Sequence, residues 1–256
     1  MTGFRGFRIL STFGILVFLA FVANLTAASS QTIPESPYYS RLNTLGVLVA
    51  YANDSSHIIM GESENRKLLT IGVSYNRRLF HDRAMTFQYS AEILPVALES
   101  DPVQHFVNVW TSPVSITQQG SYTPVYACQT KTGSYSEVLN GVTYAYTYTD
   151  TCSRQWTIGE AMSPAGFQWN FGPRHKLQPY LTGHVGYIFS THAIPIDTAG
   201  SFNFMFDAGA GVELYRSKSR SVRLDYRFHH ISNADTANAN PGIDNGIFQA
   251  TYTFGR

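Results

Sequence analysis

His230 and Ser232 stand two positions apart, and Asp244 follows twelve positions after the serine, so one short stretch carries a base, a hydroxyl and a carboxylate. On a strand, residues two apart share a face with Cα atoms about 6 to 7 Å apart, which lets an imidazole reach a hydroxyl. A serine nucleophile and its general base need that spacing, and a carboxylate beside the imidazole would hold its tautomer and complete a triad. The intervening NADTANANPG is rich in turn formers, so the chain is predicted to double back and lay Asp244 against His230. Such a set hydrolyses acyl groups through an acyl enzyme.

The elements that must position these residues are strands. Period-two alternation gives eight runs: Leu45 to Tyr51, Leu69 to Tyr75, Met85 to Ile93, Phe167 to Phe171, Leu177 to Phe189, Phe202 to Leu214, Val222 to Phe228 and Phe248 to Phe254. In each, the apolar residues occupy one parity and polar residues the other. Glu92, Asp207, Glu213, Arg223, Asp225 and Arg227 all fall on the polar face, where they can pair inside a small barrel filled by side chains. The connections alternate between short ones near 80–83, 172–176 and 216–220 and long ones at 53–66, 101–155, 190–201 and 233–243, and in the longest the Tyr- and Thr-rich VTYAYTYTDTC reads as a disulfide-closed hairpin above the membrane. This rhythm predicts an all-β fold, an eight-stranded antiparallel transmembrane β-barrel, over a soluble sandwich.

Composition agrees with a lipid environment. Charged residues make up 14% and aromatic residues 14% of the 256 positions, against roughly 25% charged residues in ordinary soluble domains. Arg5 and Arg8 precede an apolar run from Ile9 to Leu25 and a small-residue stretch, which reads as a signal peptide over 1–30 ahead of a barrel domain over 31–256. An uncleaved N-terminal anchor is the alternative. A net charge of +1 without a basic block gives no electrostatic case for nucleic acid. Cys128 and Cys152 are the two cysteines, too few for a zinc site, and in an exported chain they read as one disulfide, with two free thiols as the alternative. The histidines lack metal-binding spacing, so neither metal nor cofactor is expected.

Parity also says where the triad faces. His230 and Ser232 continue the outward series of Val222 to Phe228, and Asp244 shares parity with the outward Phe248 to Phe254, whereas His229 turns to the lumen. Ionisable groups on a lipid-facing rim are costly unless paired or functional. A triad on the outside wall suits a substrate that arrives laterally through the membrane, such as a lipid ester.

The stretch His230-Ile-Ser232-Asn233 with the downstream Asn-Pro-Gly-Ile and acidic residue, together with FQYSAEILPV at 87–96, resembles the lipid A 3-O-deacylase family (PagL type). The resemblance runs from about Leu45 to the C-terminus. It implies an outer-membrane barrel of a Gram-negative bacterium that hydrolyses the 3-position ester of lipid A in lipopolysaccharide, with outer-membrane lipids around it. His230 would be the base, Ser232 the nucleophile and Asn233 an oxyanion donor. Two positions depart from the family pattern: Asp244 stands where members carry Glu, and Asp235 where they carry Gly. Oligomeric state, a homodimer included, is left open. The alternative function is a non-catalytic eight-stranded barrel working in adhesion or envelope integrity.

Overall fold

A computed structural model describes residues 37–256; the signal peptide expected over 1–30 lies outside the described residues. Ten strands follow in order: β1 (Asn43–Ala52), β2 (Lys67–His81), β3 (Met85–Ser112), β4 (Ile116–Tyr122), β5 (Lys131–Leu139), β6 (Val142–Phe171), β7 (Leu177–Ser190), β8 (Phe202–Ser217), β9 (Arg220–Ser232) and β10 (Ile243–Gly255). Eight of them close a ring, because β1 pairs with both β2 and β10, and β3 pairs with β6 as well as with β2. Every pairing in the ring is antiparallel, so no strand edge faces lipid. Each of the eight alternating runs falls on one barrel strand.

The segment 101–155, expected as a long connection with a disulfide-closed hairpin at VTYAYTYTDTC, is mostly strand. Beyond the barrel rim β3 and β6 remain paired up to Ser112 opposite Ala145, and β4 and β5 flank them to make a four-stranded sheet. The Thr, Tyr and Val residues of VTYAYTYT favour an extended, pleated backbone, and continued pairing satisfies peptide groups that a long irregular loop would leave to water. The expected disulfide forms between Cys128 and Cys152, tying the β4–β5 connection to β6.

Inside the barrel the predicted charged face is paired. Arg227 reaches Asp225 at 2.6 Å, Glu92 at 3.2 Å and Asp207 at 3.3 Å, and Arg223 reaches Glu213 at 3.2 Å. Arg41, just before β1, donates to Glu213 at 2.7 Å and closes the short-turn end of the lumen with its guanidinium over the Tyr215 ring. Toward the long-loop end the lumen becomes apolar, with Leu48, Leu68, Leu94, Ile188 and Ile247 buried together. Fully buried Arg66 then ties that mouth shut: it donates to Asp101 and to the carbonyls of Glu64, Pro124, Val125 and Pro195, which belong to three different external connections. The lumen is therefore a packed core and not a pore.

Irregularities on β3 and β6 reverse which parity faces inward. Below them Gln88, Ser90, Gln168 and Asn170 point into the lumen, while above them Ala97, Glu99, Thr157 and Ala161 are the buried set.

Candidate active site

β9 and β10 form a hairpin whose register sets Asp244 directly opposite His230. Directly opposed residues on one face have Cβ atoms about 4.5 to 5.5 Å apart, so a short carboxylate suffices to bridge them. His230 Nδ1 lies 2.6 Å from Asp244 Oδ1, a charge-assisted contact. The departure from Glu to Asp is thus met by cross-strand placement, with no gap between the groups.

Both residues lie on the outer wall, as parity predicts. His230 sits against the Phe206 ring at a centroid distance of 5.3 Å, and its neighbour His229 turns inward to line the lumen. Ser232 follows His230 on the same face of β9, partly exposed, opposite Phe204. Among the described residues, the Ser232 hydroxyl makes no hydrogen bond. Contacts between a catalytic hydroxyl and its base commonly tighten only with substrate bound.

Asp244 is fully buried although it faces outward, because the β1–β2 connection folds over it. The amides of Ile59 and Met60 donate to Asp244 Oδ2 at 2.7 and 2.9 Å, leaving Oδ1 for the imidazole. The same segment runs along the start of β10, with Glu62 and Ser63 amides donating to the Pro241 and Gly242 carbonyls at 2.6 and 3.1 Å. Two glycines permit this approach. A Cβ on Gly61 would lie 2.5 Å from the Asp244 nitrogen, and one on Gly242, whose φ is +59°, would lie 3.1 Å from His230 Cε1. Around the carboxylate, Ile58, Ile59 and Met60 leave about half or more of their surface exposed.

Asn233 is buried at the foot of the β9–β10 connection. Its backbone amide donates to Asn240 Oδ1 at 3.0 Å and its side-chain amide donates to the Ala239 carbonyl at 2.7 Å. Its carbonyl accepts from the Thr236 amide at 3.1 Å, closing a turn in which Ala234 and Asp235 have φ of 51° and 59°. Positive φ at both central positions is the type I′ geometry. Glycine adopts that backbone without strain and Asp more readily than most residues, so Gly and Asp at position 235 serve the same turn.

Ile59, Met60 and Gly61 were not singled out by the sequence, and Asn240 was read there only as part of the Asn-Pro-Gly turn. Backbone donors leave no side-chain signature; the only signal was a glycine inside an apolar loop segment.

A second Ser-His-Asp set lies inside the barrel. His184 Nε2 is 2.9 Å from Ser90 Oγ, and its Nδ1 is 3.0 Å from Asp207 Oδ1. Arg227 Nη1 also lies 3.0 Å from that Nδ1 and binds Asp207, so the carboxylate is not reserved for the imidazole. Glu92, His184 and Asp207 bring three donors close enough for a metal ion, but the Arg227 guanidinium already supplies the positive charge there. The adjoining cavity has about 20 Å³, room for a single water.

The family model for Lipid A 3-O-deacylase (PagL) matches residues 116–253, more than half of the chain. No curated protein matches the chain. Among solved structures, it is similar to Neisserial surface protein A (NspA), with 10% identity and a TM-score of 0.40 over 84% of this chain and 97% of that one. It is also similar to the outer membrane protein OprG from Pseudomonas aeruginosa, with 9% identity and a TM-score of 0.39 over 86% and 98% of the two chains. LpxR from Salmonella typhimurium shares 8% identity at a TM-score of 0.25, over 83% of this chain and 100% of that chain.

Proposed function

The chain belongs to the lipid A 3-O-deacylase family, a lipid A deacylase of the Gram-negative outer membrane, and on that premise we propose that it is a serine esterase removing the 3-O-linked hydroxyacyl chain. The observation that carries this reading is the 2.6 Å contact between His230 and Asp244 on the outer wall, with Ser232 on the same strand face. An ester held in the outer leaflet reaches that wall sideways, acyl chain first.

In this mechanism Ser232 Oγ attacks the ester carbonyl while His230 takes its proton on Nε2. Asp244 holds the Nδ1–H tautomer and faces the resulting imidazolium. The second proton of the Asn233 side-chain amide, whose first goes to the Ala239 carbonyl, and neighbouring backbone amides stabilise the tetrahedral oxyanion, a contribution of roughly 3 to 4 kcal/mol per donor in comparable sites. His230 then returns the proton to the sugar 3-oxygen as the carbon–oxygen bond breaks. Water, deprotonated by the same histidine, releases the 3-hydroxy acid and restores the serine. No step requires a metal. The barrel domain spans 31–256 after removal of the 1–30 signal peptide, which N-terminal sequencing of the membrane form checks.

Expression in a Gram-negative host tests the reaction by mass spectrometry of lipid A. Loss of one 3-hydroxyacyl chain, insensitive to EDTA, is expected from the wild type and not from Ser232→Ala. A folded barrel in contact with lipid A that leaves its mass unchanged would select the non-catalytic reading, for which the extended external sheet is the supporting observation.

A further inference from the structure

One face of the external sheet has the parity of the lipid-facing wall, and above the Cys128–Cys152 bond it is open. On β6, Trp156 and Ile158 are more than half exposed on the outer side of the barrel, while Thr157 and Gly159 turn inward. No irregularity interrupts the pairing of β3 with β6 between this level and Trp110 opposite Tyr146. The even-numbered residues Tyr146, Tyr148 and Asp150 therefore lie on the same face as Trp156, beginning about 20 Å further along the strand.

That face is concave, an open trough of about 500 Å³, within the roughly 300–1,000 Å³ typical of ligand clefts. Four rings line it: Phe106, Tyr122, Tyr146 and Tyr148. Gln104, Asn108 and Gln118 add neutral amides, and Asp150 is the only charged lining residue. Two of the rings lean over a glycine directly across the sheet. A Cβ on Gly120 would lie 2.8 Å from Phe106 Cζ, and one on Gly133 would lie 2.5 Å from the Tyr148 hydroxyl oxygen. The Tyr146 ring packs, tilted, against Trp110 at a centroid distance of 4.4 Å and against Tyr135 at 5.3 Å, which fixes the central ring.

We propose that this trough binds the saccharide chain of lipopolysaccharide. A sugar ring presents polarised C–H groups to the negative face of an aromatic ring and hydroxyls to amides and carboxylates, and rigid tyrosines supply such amphipathic area at low entropic cost. A purely apolar partner would leave the amides and Asp150 unpaired, and an anionic one would find no cation in the lining. Position selects the source. The sheet stands beyond the barrel rim, in the layer that the saccharide of outer-leaflet lipopolysaccharide fills, with Arg154, bonded to Asn65, and Cys152, bonded to Cys128, between the trough and Trp156. The site lies across the ring from β9 and β10, so it binds lipopolysaccharide independently of the triad and serves to hold the barrel among its substrate molecules. The proposal rests on the outer-membrane placement and not on the hydrolytic mechanism.

The test is calorimetric titration of the full chain in detergent with delipidated polysaccharide released from lipopolysaccharide. Saturable binding is expected, weakened at least tenfold by Tyr146→Ala, by Tyr148→Ala and by the exposed-site variant Gln118→Ala combined with Asp150→Ala, and kept within threefold by Tyr148→Phe. Deacylation of sugar-free lipid A should stay within twofold of wild type in all four, which separates this site from the active site. Absence of binding to the folded wild type overturns the proposal, as does equal binding to Tyr148→Ala. Equal affinity for dextran would remove the assignment to the lipopolysaccharide chain, and a concentration-dependent dimer abolished by the same variants would assign the face to a second copy instead.

Discussion

Two Ser-His-Asp sets occupy this barrel, one inside and one on the outer wall, and by hydrogen bonds alone the inner one is the better formed. Ser90, His184 and Asp207 are joined at 2.9 and 3.0 Å, whereas at the rim only His230 and Asp244 are in contact. The inner set is shut between the Arg41 and Arg66 closures and shares Asp207 with Arg227. At the rim, Asp244 spends one oxygen on backbone amides and the other on a single imidazole. Chemistry needs a reachable nucleophile and an uncommitted base, and a satisfied network in a packed lumen offers neither.

The largest expected effect breaks the comparison outright. Ser232→Ala or His230→Ala should each lower lipid A deacylation by at least about 10³-fold, while Ser90→Ala changes it less than twofold. Activity lost in Ser90→Ala with the rim variants unaffected would move the active site into the lumen. Folding is read in each case from heat-modifiable migration on gels.

Asp244→Asn comes next. It keeps the shape but cannot hold the Nδ1–H tautomer in the same way, so kcat should fall by about 10² to 10⁴-fold with the barrel intact. Unchanged turnover would mean that another group orients His230.

Gly61→Val probes the loop that sets the rim apart. The added side chain must displace the segment from the Asp244 backbone, which withdraws the Ile59 and Met60 donors. A displacement near 1 Å can cost on the order of tenfold to a hundredfold in rate, so kcat should drop while KM and thermal stability move little. A loss confined to stability would make the loop mere packing.

The smallest effect is on the external sheet. Reducing the bond between Cys128 and Cys152, 24 positions apart, should cost the sheet about 3 kcal/mol or less of local stability without altering deacylation. Proteolysis between β4 and β5 before and after reduction reads the first quantity, and lipid A mass the second.

Much of this was legible in the chain because a period of two commits every side chain to a face. Alternation alone located the eight strands, sent Arg227 and His229 inward and His230 and Ser232 outward, and left the long connections at one end. The sheet over 101–155 was less legible. VTYAYTYTDTC reads as a hairpin, but the pairing that extends β3 and β6 beyond the rim, with β4 added at the edge, becomes visible only in the register.

What the sequence determined by itself was the inventory and the facing of the site: a base and a hydroxyl on one outer face, and a carboxylate of matching parity after a turn. Tertiary structure decided three things that spacing cannot contain. It set Asp244 opposite His230 so that the shorter side chain reaches, because across a connection as long as 233–242 the register is fixed by the pairing of β9 with β10 and not by spacing. It brought the amides of Ile59 and Met60 onto that carboxylate from nearly the other end of the chain, through contacts in which side-chain identity plays no part. And it sealed the lumen around Ser90, His184 and Asp207, so that access, which no linear pattern records, separates the outer site from its buried counterpart.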